Sequence, residues 1–311
     1  MNKPKVIVIC GPTASGKTAL SIELAKQING EIVSADSMQI YKYMNIGSAK
    51  PTKDEMQGIK HYMIDFLEPD VRYSVAEYKK MAEKSIEEII RKGKTPIIVG
   101  GTGLYIDSLI LGIEYNEINF DQAYRELLEN RVKTEGLEIL YNEAVKIDSM
   151  AANKISRNDK KRILRIIEIY HETGKTKTQL EVESRKNEVK YQYITFAINF
   201  ERKILYDRIN KRVELMIENG LIEEVNNLTK KYKSLPTAHQ GLGYKETKQY
   251  LDGIITKEEL IDKIKQETRR YAKRQLTWFK KNKNIIWLNG LNSNEENIQI
   301  ILEEINWGMK K

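Results

Sequence analysis

This sequence predicts an α/β protein: a parallel sheet flanked by helices, with a helical insertion domain. Three observations lead there. The first hundred residues alternate short apolar runs with amphipathic helical patterns, the arrangement of βαβ units. The first apolar run, Val6–Cys10, leads directly into GPTASGKT (Gly11–Thr18), a two-glycine loop ending in Lys-Thr of the kind that cradles phosphates. From Glu114 to Lys190 the strand-like runs stop, Gly and Pro become scarce, and Arg/Lys/Glu-rich helical patterns take over.

In chain order, strands are expected at Val6–Cys10, Glu31–Ala35, Tyr62–Phe66 and Pro96–Val99, with helices over Thr18–Gln27 and Ser74–Arg91. Ser74 and Glu77 have the spacing of a capping box, and Gly93 lies near that helix's end. The insertion has one clear helix, Asn158–Glu172, with Ile163, Ile166, Ile167 and Tyr170 on one face and Gly174 as terminator. Tyr193–Phe200 reads as a strand returning to the sheet. Helices follow over Arg202–Asn219, ending at Gly220, and over Leu221–Tyr232. A long one runs from Glu258 to about Lys281, with Thr256 and Glu259 as its capping box, and Ile285–Leu288 is a last strand. The expected organisation is therefore 1–113 as the first part of the core, 114–190 as the insertion, and 191–311 as core completion with basic C-terminal helices.

Composition narrows the function classes. The chain has 311 residues, 41% of them hydrophobic, and a formal net charge of +8. That charge suits a polyanionic partner, although a basic protein without one fits equally well. A single cysteine, Cys10, excludes an internal disulfide, and its apolar strand makes it a buried core thiol. Three histidines with no ligand spacing argue against a zinc site. No signal peptide and no apolar run long enough to span a membrane are seen, so a cytoplasmic protein is expected.

The residues that carry chemistry gather where the strands end, because ligands of a parallel sheet sit at its carboxyl edge. The backbone N–H groups of Gly11 and of Thr13–Gly16, Pro12 having none, and the following helix N-terminus make an anion site, Lys17 neutralises phosphate, and the Thr18 hydroxyl suits Mg²⁺. The second strand ends in SADSMQIY, placing Asp36 on the same edge. Asp36 is a metal ligand through water, a general base, or a turn cap. The run IIVGGTGLY ends in Gly100, Gly101, Thr102 and Gly103, where a phosphoryl-transferring loop protein carries an acid. Glycine there admits a ligand close to the backbone or makes a tight turn; Asp65 is either the substitute acid or structural. Between Lys263 and Lys283 there are nine cations against one acid, Glu267, with Lys265, Arg269 and Lys273 on one helical face. Such a face suits a nucleic-acid backbone. Arg162 and Arg165 form a second, smaller basic spot. A small-molecule kinase shares the loop and the insertion but leaves the basic helix without a role. A non-catalytic RNA-binding protein accounts for the helix but not for Asp36 beside the loop.

Taken together, GPTASGKTALSIELA, SADSMQIYKYMNIGSAKP, HYMIDFLEP, IIVGGTGLYIDSL, NDKKRILRIIEIYHETGKT, RINKRVELMIENG, GLGYKE and AKRQLTWFKK resemble the tRNA dimethylallyltransferases, the Δ2-isopentenylpyrophosphate transferase family of bacteria. They occur in family order over nearly the whole chain. The resemblance implies a P-loop NTPase-like fold and transfer of a dimethylallyl group from dimethylallyl diphosphate to N6 of adenosine 37, in tRNAs reading codons that begin with U.

It also implies roles for residues. Gly11, Pro12, Thr13, Ala14, Ser15, Gly16, Lys17 and Thr18 would hold the diphosphate, with Mg²⁺ at Thr18 and further contacts from Arg208 and Arg212. Asp36, Lys17 and Thr102 would be catalytic, Asp36 as the base for the adenine amine. Ser37, Met38 and Gln39 would line the pocket of the flipped base. The tRNA would be contacted by Thr102 and Arg125, by Lys161, Arg162, Ile163, Leu164 and Arg165, and by Gln240, Gly241, Leu242, Gly243, Tyr244 and Lys245. Further tRNA contacts would come from Lys273, Arg274, Gln275, Leu276, Thr277, Trp278, Phe279 and Lys280. At Gln240–Gly241 this sequence departs from relatives that place a basic residue first. The implied partners are the tRNA anticodon stem-loop and dimethylallyl diphosphate, with no membrane and no obligate protein partner, and a monomer.

Overall fold

The structure is a computed structural model and describes residues 3–114, 121–184 and 188–307. The chain divides into two compact units, Met1–Ile110 with Lys190–Lys311, and Leu111–Val189. The first unit opens with β1 (Lys5–Cys10), α1 (Lys17–Gln27), β2 (Gly30–Ser34), α2 (Lys53–Met56), β3 (His61–Tyr62), α3 (Val75–Arg91), β4 (Thr95–Gly100) and α4 (Gly103–Ile110). The second unit contributes α5 (Gln122–Thr134), α6 (Leu137–Ile147), α7 (Ser149–Ala152), α8 (Lys160–Thr173) and α9 (Lys177–Ser184). The first unit resumes with β5 (Gln192–Asn199), α10 (Arg202–Glu218), α11 (Leu221–Lys231), α12 (Tyr244–Leu251), α13 (Lys257–Phe279), β6 (Ile286–Asn289) and α14 (Asn294–Trp307). No helix among the described residues is long and apolar enough to cross a membrane.

The six strands form one sheet in the order β3-β2-β4-β1-β5-β6, and every pairing is parallel. The apolar run of β1 has no alternation because both of its faces are covered. Ile7 and Ile9 pack with Leu20 and Leu24 of α1 and Ile209 of α10, while Val6, Val8 and Cys10 pack with Tyr78 and Ile86 of α3 and Ile106 of α4. A third cluster places Ile40, Tyr41 and Met44, from the segment after β2, against Val225, Leu228, Tyr244, Leu260 and Ile264 of α11 to α13. The second unit has its own core, including Leu128, Leu140, Ile163 and Ile167.

Local signals set the helix ends. Ser74 Oγ accepts from the Glu77 N–H at 3.2 Å while Glu77 Oε2 accepts from the Ser74 N–H at 2.7 Å. Thr256 and Glu259 make the same exchange at the head of α13. One expected element is cut short. The strand foreseen over Tyr62–Phe66 is β3, which stops at Tyr62 because Met63 and Asp65 adopt φ of 60° and 56°, outside any strand. The N–H groups of Asp65 and Phe66 donate instead to Gln39 and Ile40, which draws this segment against the chain that follows β2.

These packing arguments predict unequal costs. Ile9→Ala, at a fully buried position, lowers unfolding free energy by about 2–5 kcal/mol. Loss of the exposed cap in Ser74→Ala costs about 1 kcal/mol. Urea unfolding followed by circular dichroism checks both; equal costs would contradict the placement of β1 in the centre of the core.

Candidate active site

The carboxyl ends of β1, β2 and β4 lie side by side, and each leads into a chemically distinctive segment. After β1 the chain turns through Gly11, Ala14 and Gly16 with φ of 137°, 62° and 87°. A Cβ on Gly11 would lie 3.1 Å from the Ile198 carbonyl oxygen, so position 11 is restricted by contact as well as by conformation. Gly16 caps α1 without any side-chain acceptor, which leaves the helix's leading amides available to an anion.

Cations surround this loop. Lys17 Nζ donates to the Pro12 carbonyl at 2.6 Å and to Ser15 Oγ at 3.5 Å. Desolvation, then the Arg212 charge, push the Lys17 ammonium down to about 8, against the opposing pull of Asp36. Burial likewise lowers Arg212, which feels Asp36 and Glu55 as opposite charges and Arg208 as a like one. Arg208 Nε donates to the Ala14 carbonyl at 2.8 Å, and its guanidinium lies 4.8 Å over the Phe200 ring. Lys17, Arg208 and Arg212, expected together from the sequence, are brought together here.

The end of β2 supplies the acid. Asp36 Oδ1 accepts from the N–H groups of Met38 at 2.8 Å and Gln39 at 3.3 Å, so Asp36 does cap a turn. Its other oxygen takes no part in that turn. The Ser37 N–H donates to Thr102 Oγ1 at 3.1 Å, and the Thr102 N–H donates to the Ala35 carbonyl at 3.1 Å, which ties the ends of β2 and β4 together. Gln39 was expected in a base pocket, but its carboxamide is used inside the chain. Nε2 donates to the carbonyls of Ser48 and Ala49, and Oε1 accepts from Ser34 Oγ. Met38 is half-buried against the third cluster.

The glycines after β4 admit the protein's own atoms. A Cβ on Gly100 would stand 2.1 Å from the Ala35 oxygen, one on Gly101 2.2 Å from Gln275 Nε2, and one on Gly103 2.4 Å from the Trp278 ring. The close approach anticipated for a ligand is made by β2 and α13. Asp65 is paired with Lys50 at 2.6 Å, a structural role in which it is no substitute acid for the loop.

Helix α13 divides by face. Gln275 is buried, with Oε1 accepting from the Thr13 N–H at 2.9 Å and Nε2 donating to the Gly101 carbonyl at 2.9 Å. Trp278 Nε1 donates to Asp107 Oδ2 at 2.8 Å, Phe279 is in the core with Val6 and Val8, and Leu276 packs against the other cluster, that of Ile7 and Ile9. These side chains hold the helix to the sheet. Lys273, Arg274, Thr277 and Lys280 are exposed. The expected single stripe also splits: Lys265 pairs with Glu214 and Arg269 bonds Asn210, both at 2.6 Å on α10, while Lys273 remains outside. In the 240–245 segment, Tyr244 is buried with its hydroxyl on Glu224 at 2.6 Å and Gly241 and Gly243 are buried, while Leu242 is half-buried; Gln240 and Lys245 are exposed.

In the second unit, the side chains of Ile163 and Leu164 are buried in the core. Lys161 and Arg162 are exposed and Arg165 is half-buried, its guanidinium lowered by desolvation. Arg125 bonds Glu168 at 2.7 Å and Glu129 at 3.1 Å.

Three functional residues escaped sequence reading: Gln275 as a strut, Glu224 and Tyr271. Glu224 accepts from the N–H groups of Asn45, Ile46 and Gly47 and so fixes the chain after β2. Tyr271 lies one turn before Gln275 on the same face of α13, near Thr102. The signal was a polar pair at four-residue spacing opposite the cations.

Comparison with known proteins agrees with this geometry. The IPP transferase family matches residues 39–282. A tRNA dimethylallyltransferase of Acetivibrio thermocellus is 52% identical over 285 residues, covering 91% of each chain. The crystal structure of the full-length tRNA isopentenylpyrophosphate transferase from Bacillus halodurans superposes with a TM-score of 0.74 at 40% identity, covering 99% of this chain and 97% of that one. A eukaryotic dimethylallyltransferase acting on tRNA superposes with a TM-score of 0.79 at 30% identity, covering 97% of this chain and 80% of that one. With its P-loop NTPase-like sheet and a match over most of its length, the chain belongs to the IPP transferase family, the tRNA dimethylallyltransferases.

Proposed function

We propose that this protein transfers a dimethylallyl group from dimethylallyl diphosphate to N6 of adenosine 37, in tRNAs reading codons that begin with U, releasing diphosphate and N6-(dimethylallyl)adenosine. The observation that carries this reading is the placement of Asp36 beside a phosphate loop ringed by Lys17, Arg208 and Arg212. Two desolvated cations side by side repel one another, and a bound diphosphate relieves that repulsion. The same charges stabilise the diphosphate as the allylic C–O bond weakens, without reorganising during the reaction.

An adenine amine is a weak nucleophile and needs its proton accepted as the C–N bond forms; Asp36, with one oxygen outside its turn, is the base. The target base leaves its stack to reach a half-buried carboxylate, at a cost of a few kcal/mol, which backbone contacts from Lys273, Arg274 and Lys280 offset. Arg125, Lys161, Arg162 and Arg165 of the second unit are further tRNA contacts. The oxygen donors of Thr18 and Asp36 fit Mg²⁺, a hard cation. When bound with the diphosphate, that ion adds charge neutralisation to the leaving group.

Incubation with labelled dimethylallyl diphosphate and an unmodified tRNA tests the reading. Label enters adenine with the wild type, and Asp36→Asn lowers the rate by about 10²–10⁴-fold. Label transfer from the γ-position of ATP to a small molecule, with none into tRNA, would overturn it.

A second expectation concerns pH. The Lys17 ammonium has an ordinary value of 10.5 and stands at about 8 without an anion. An anion raises it again, so binding takes up a proton where the free protein has lost one. Pyrophosphate affinity is therefore strongest below about 8 and falls as pH rises beyond it. The fall is the wild-type difference from Lys17→Gln, which cancels the ligand's own titration; calorimetry showing the same slope for both would contradict it.

A third is salt dependence. tRNA affinity falls steeply with ionic strength, and Lys273→Ala or Arg274→Ala each flatten the log–log slope by roughly one. Filter binding over a salt series measures this, and an unchanged slope removes α13 from the interface.

A further inference from the structure

Between β2 and α2 the chain runs through residues 35–52 without forming a helix or a strand. Tyr43 and Ala49 there hold φ of 62° and 47°, a left-handed conformation that non-glycine residues adopt only where their surroundings impose it. Side chains must therefore fix this excursion, and two of them span it. Gln39 donates through Nε2 to the Ser48 and Ala49 carbonyls, at 3.3 and 3.1 Å, while its backbone N–H donates to Asp36 Oδ1. The returning limb is thereby tied to the turn that carries the acid.

The second tie comes from α11. Glu224 Oε2 accepts from the N–H groups of Asn45 and Ile46, both at 2.8 Å, and Oε1 from the Gly47 N–H at 3.2 Å and the Tyr244 hydroxyl at 2.6 Å. A carboxylate has about four acceptor positions, and here four donors fill them. A carboxamide of the same size has one accepting oxygen and would turn an N–H group toward N–H groups. Gly47 lies so close to Tyr244 that a Cβ would stand 2.4 Å from its ring. Tyr244 opens α12, and the next residue, Lys245, is exposed. One carboxylate thus joins the segment that bears Asp36 to the helix end that presents Lys245.

We propose that Glu224 is a positioning residue for the transfer, holding the Asp36 turn in register with the head of α12 so that an RNA gripped at Lys245 delivers its base to the carboxylate. This rests on the reading of Asp36 as acceptor of the adenine amine. The path runs from Glu224 through the 45–47 backbone to Ser48 and Ala49, then through Gln39 to Asp36. Glu224 acts through that path rather than on the reacting atoms. Its loss leaves both binding surfaces in place and shifts one against the other, and a misplacement of about 1 Å costs about 10²-fold in rate. The effect falls on kcat, because the two surfaces must agree only when base and carboxylate meet.

The test uses the full-length protein with dimethylallyl diphosphate and an anticodon stem-loop RNA, and reads kcat and KM separately. Calorimetry with pyrophosphate counts the folded sites, so that kcat is expressed per binding site. In Glu224→Gln, kcat per site falls about 10–100-fold, while KM for RNA and the pyrophosphate affinity stay within about twofold. Tyr244→Phe, which removes one of the four donors, lowers kcat per site about threefold to tenfold. Gln39→Leu breaks the same path, so combining it with either variant loses no more than the worse single change. The proposal is overturned by a per-site kcat at the wild-type level in Glu224→Gln, by a loss carried in KM, or by losses that multiply in the double variant. A Glu224→Gln protein that binds no pyrophosphate has not folded, and Tyr244→Phe then decides by the same three criteria. If the wild type forms no product on this RNA, the transferase reading falls and this inference with it; product with an unchanged per-site kcat in the variants removes only the role of Glu224.

Discussion

A single carboxamide closes the carboxyl end of the sheet. Gln275 joins the phosphate loop at Thr13 to the end of β4 at Gly101, and the rest of the site takes its positions from that bridge. Because the amide must lie between those groups, position 101 has no room for a Cβ, and the Trp278 ring denies one to position 103. The register of α13 is thereby fixed against the sheet. Once it is fixed, helical geometry sets Tyr271 beside Thr102 on the inner face and leaves Lys273 and Arg274 outside. The helix that would read a tRNA backbone is thus the same rigid element that braces the donor loop.

The electrostatics follow from the same closeness. Lys17 and Arg212 are desolvated near each other, and Asp36 is the opposing charge that both of them feel. Each cation would rather be in water, and the fold holds them there because the loop, α10 and β2 are all anchored in the core through Ile9, Ile209 and Val33. The instability is local, and an anion bound there would remove it; a site preorganised in this way differs from a merely basic patch. The outer face of α13 is of the second kind: exposed, screened by salt, and effective through number rather than placement.

What the sequence made legible was local. The phosphate loop, Asp36 after β2, the capping boxes at Ser74 and Thr256, and the return of the chain to the sheet at β5 are written in spacings of a few residues. The parallel sheet follows from them, since apolar runs without alternation have to be covered on both faces. What could not be read depends on partners distant in the chain. Nothing near Gln275 signals Thr13, which lies 262 residues away. The stripe of Lys265, Arg269 and Lys273 has the right period for one exposed face, yet α10 offers Glu214 and Asn210 and takes two of the three. Ile163 and Leu164 sit within a basic motif and nevertheless face the core, because helical periodicity outranks proximity to charge. The strand expected at Tyr62–Phe66 ended early for a conformational reason, two left-handed residues, that composition does not reveal.

The glycine edge connects these points to the chemistry. A loop that organises phosphoryl transfer uses an acid at the end of a neighbouring strand to help hold the metal. Here the end of β4 cannot carry one, since the Ala35 oxygen occupies the space of any side chain at Gly100. The acid lies instead just after β2, one residue beyond Ala35, and the approach that excludes a carboxylate from β4 is the approach that binds Ser37 to Thr102. Asp36 spends one oxygen on its own turn and keeps the other outside it. In the proposed transfer that remaining oxygen accepts a proton from an amine, a task that needs one well-placed lone pair, whereas tight metal binding calls for several. In that proposed transfer, an acid placed after β2 rather than at the end of β4 suits the loop to releasing a diphosphate while the carbon chain moves to a base.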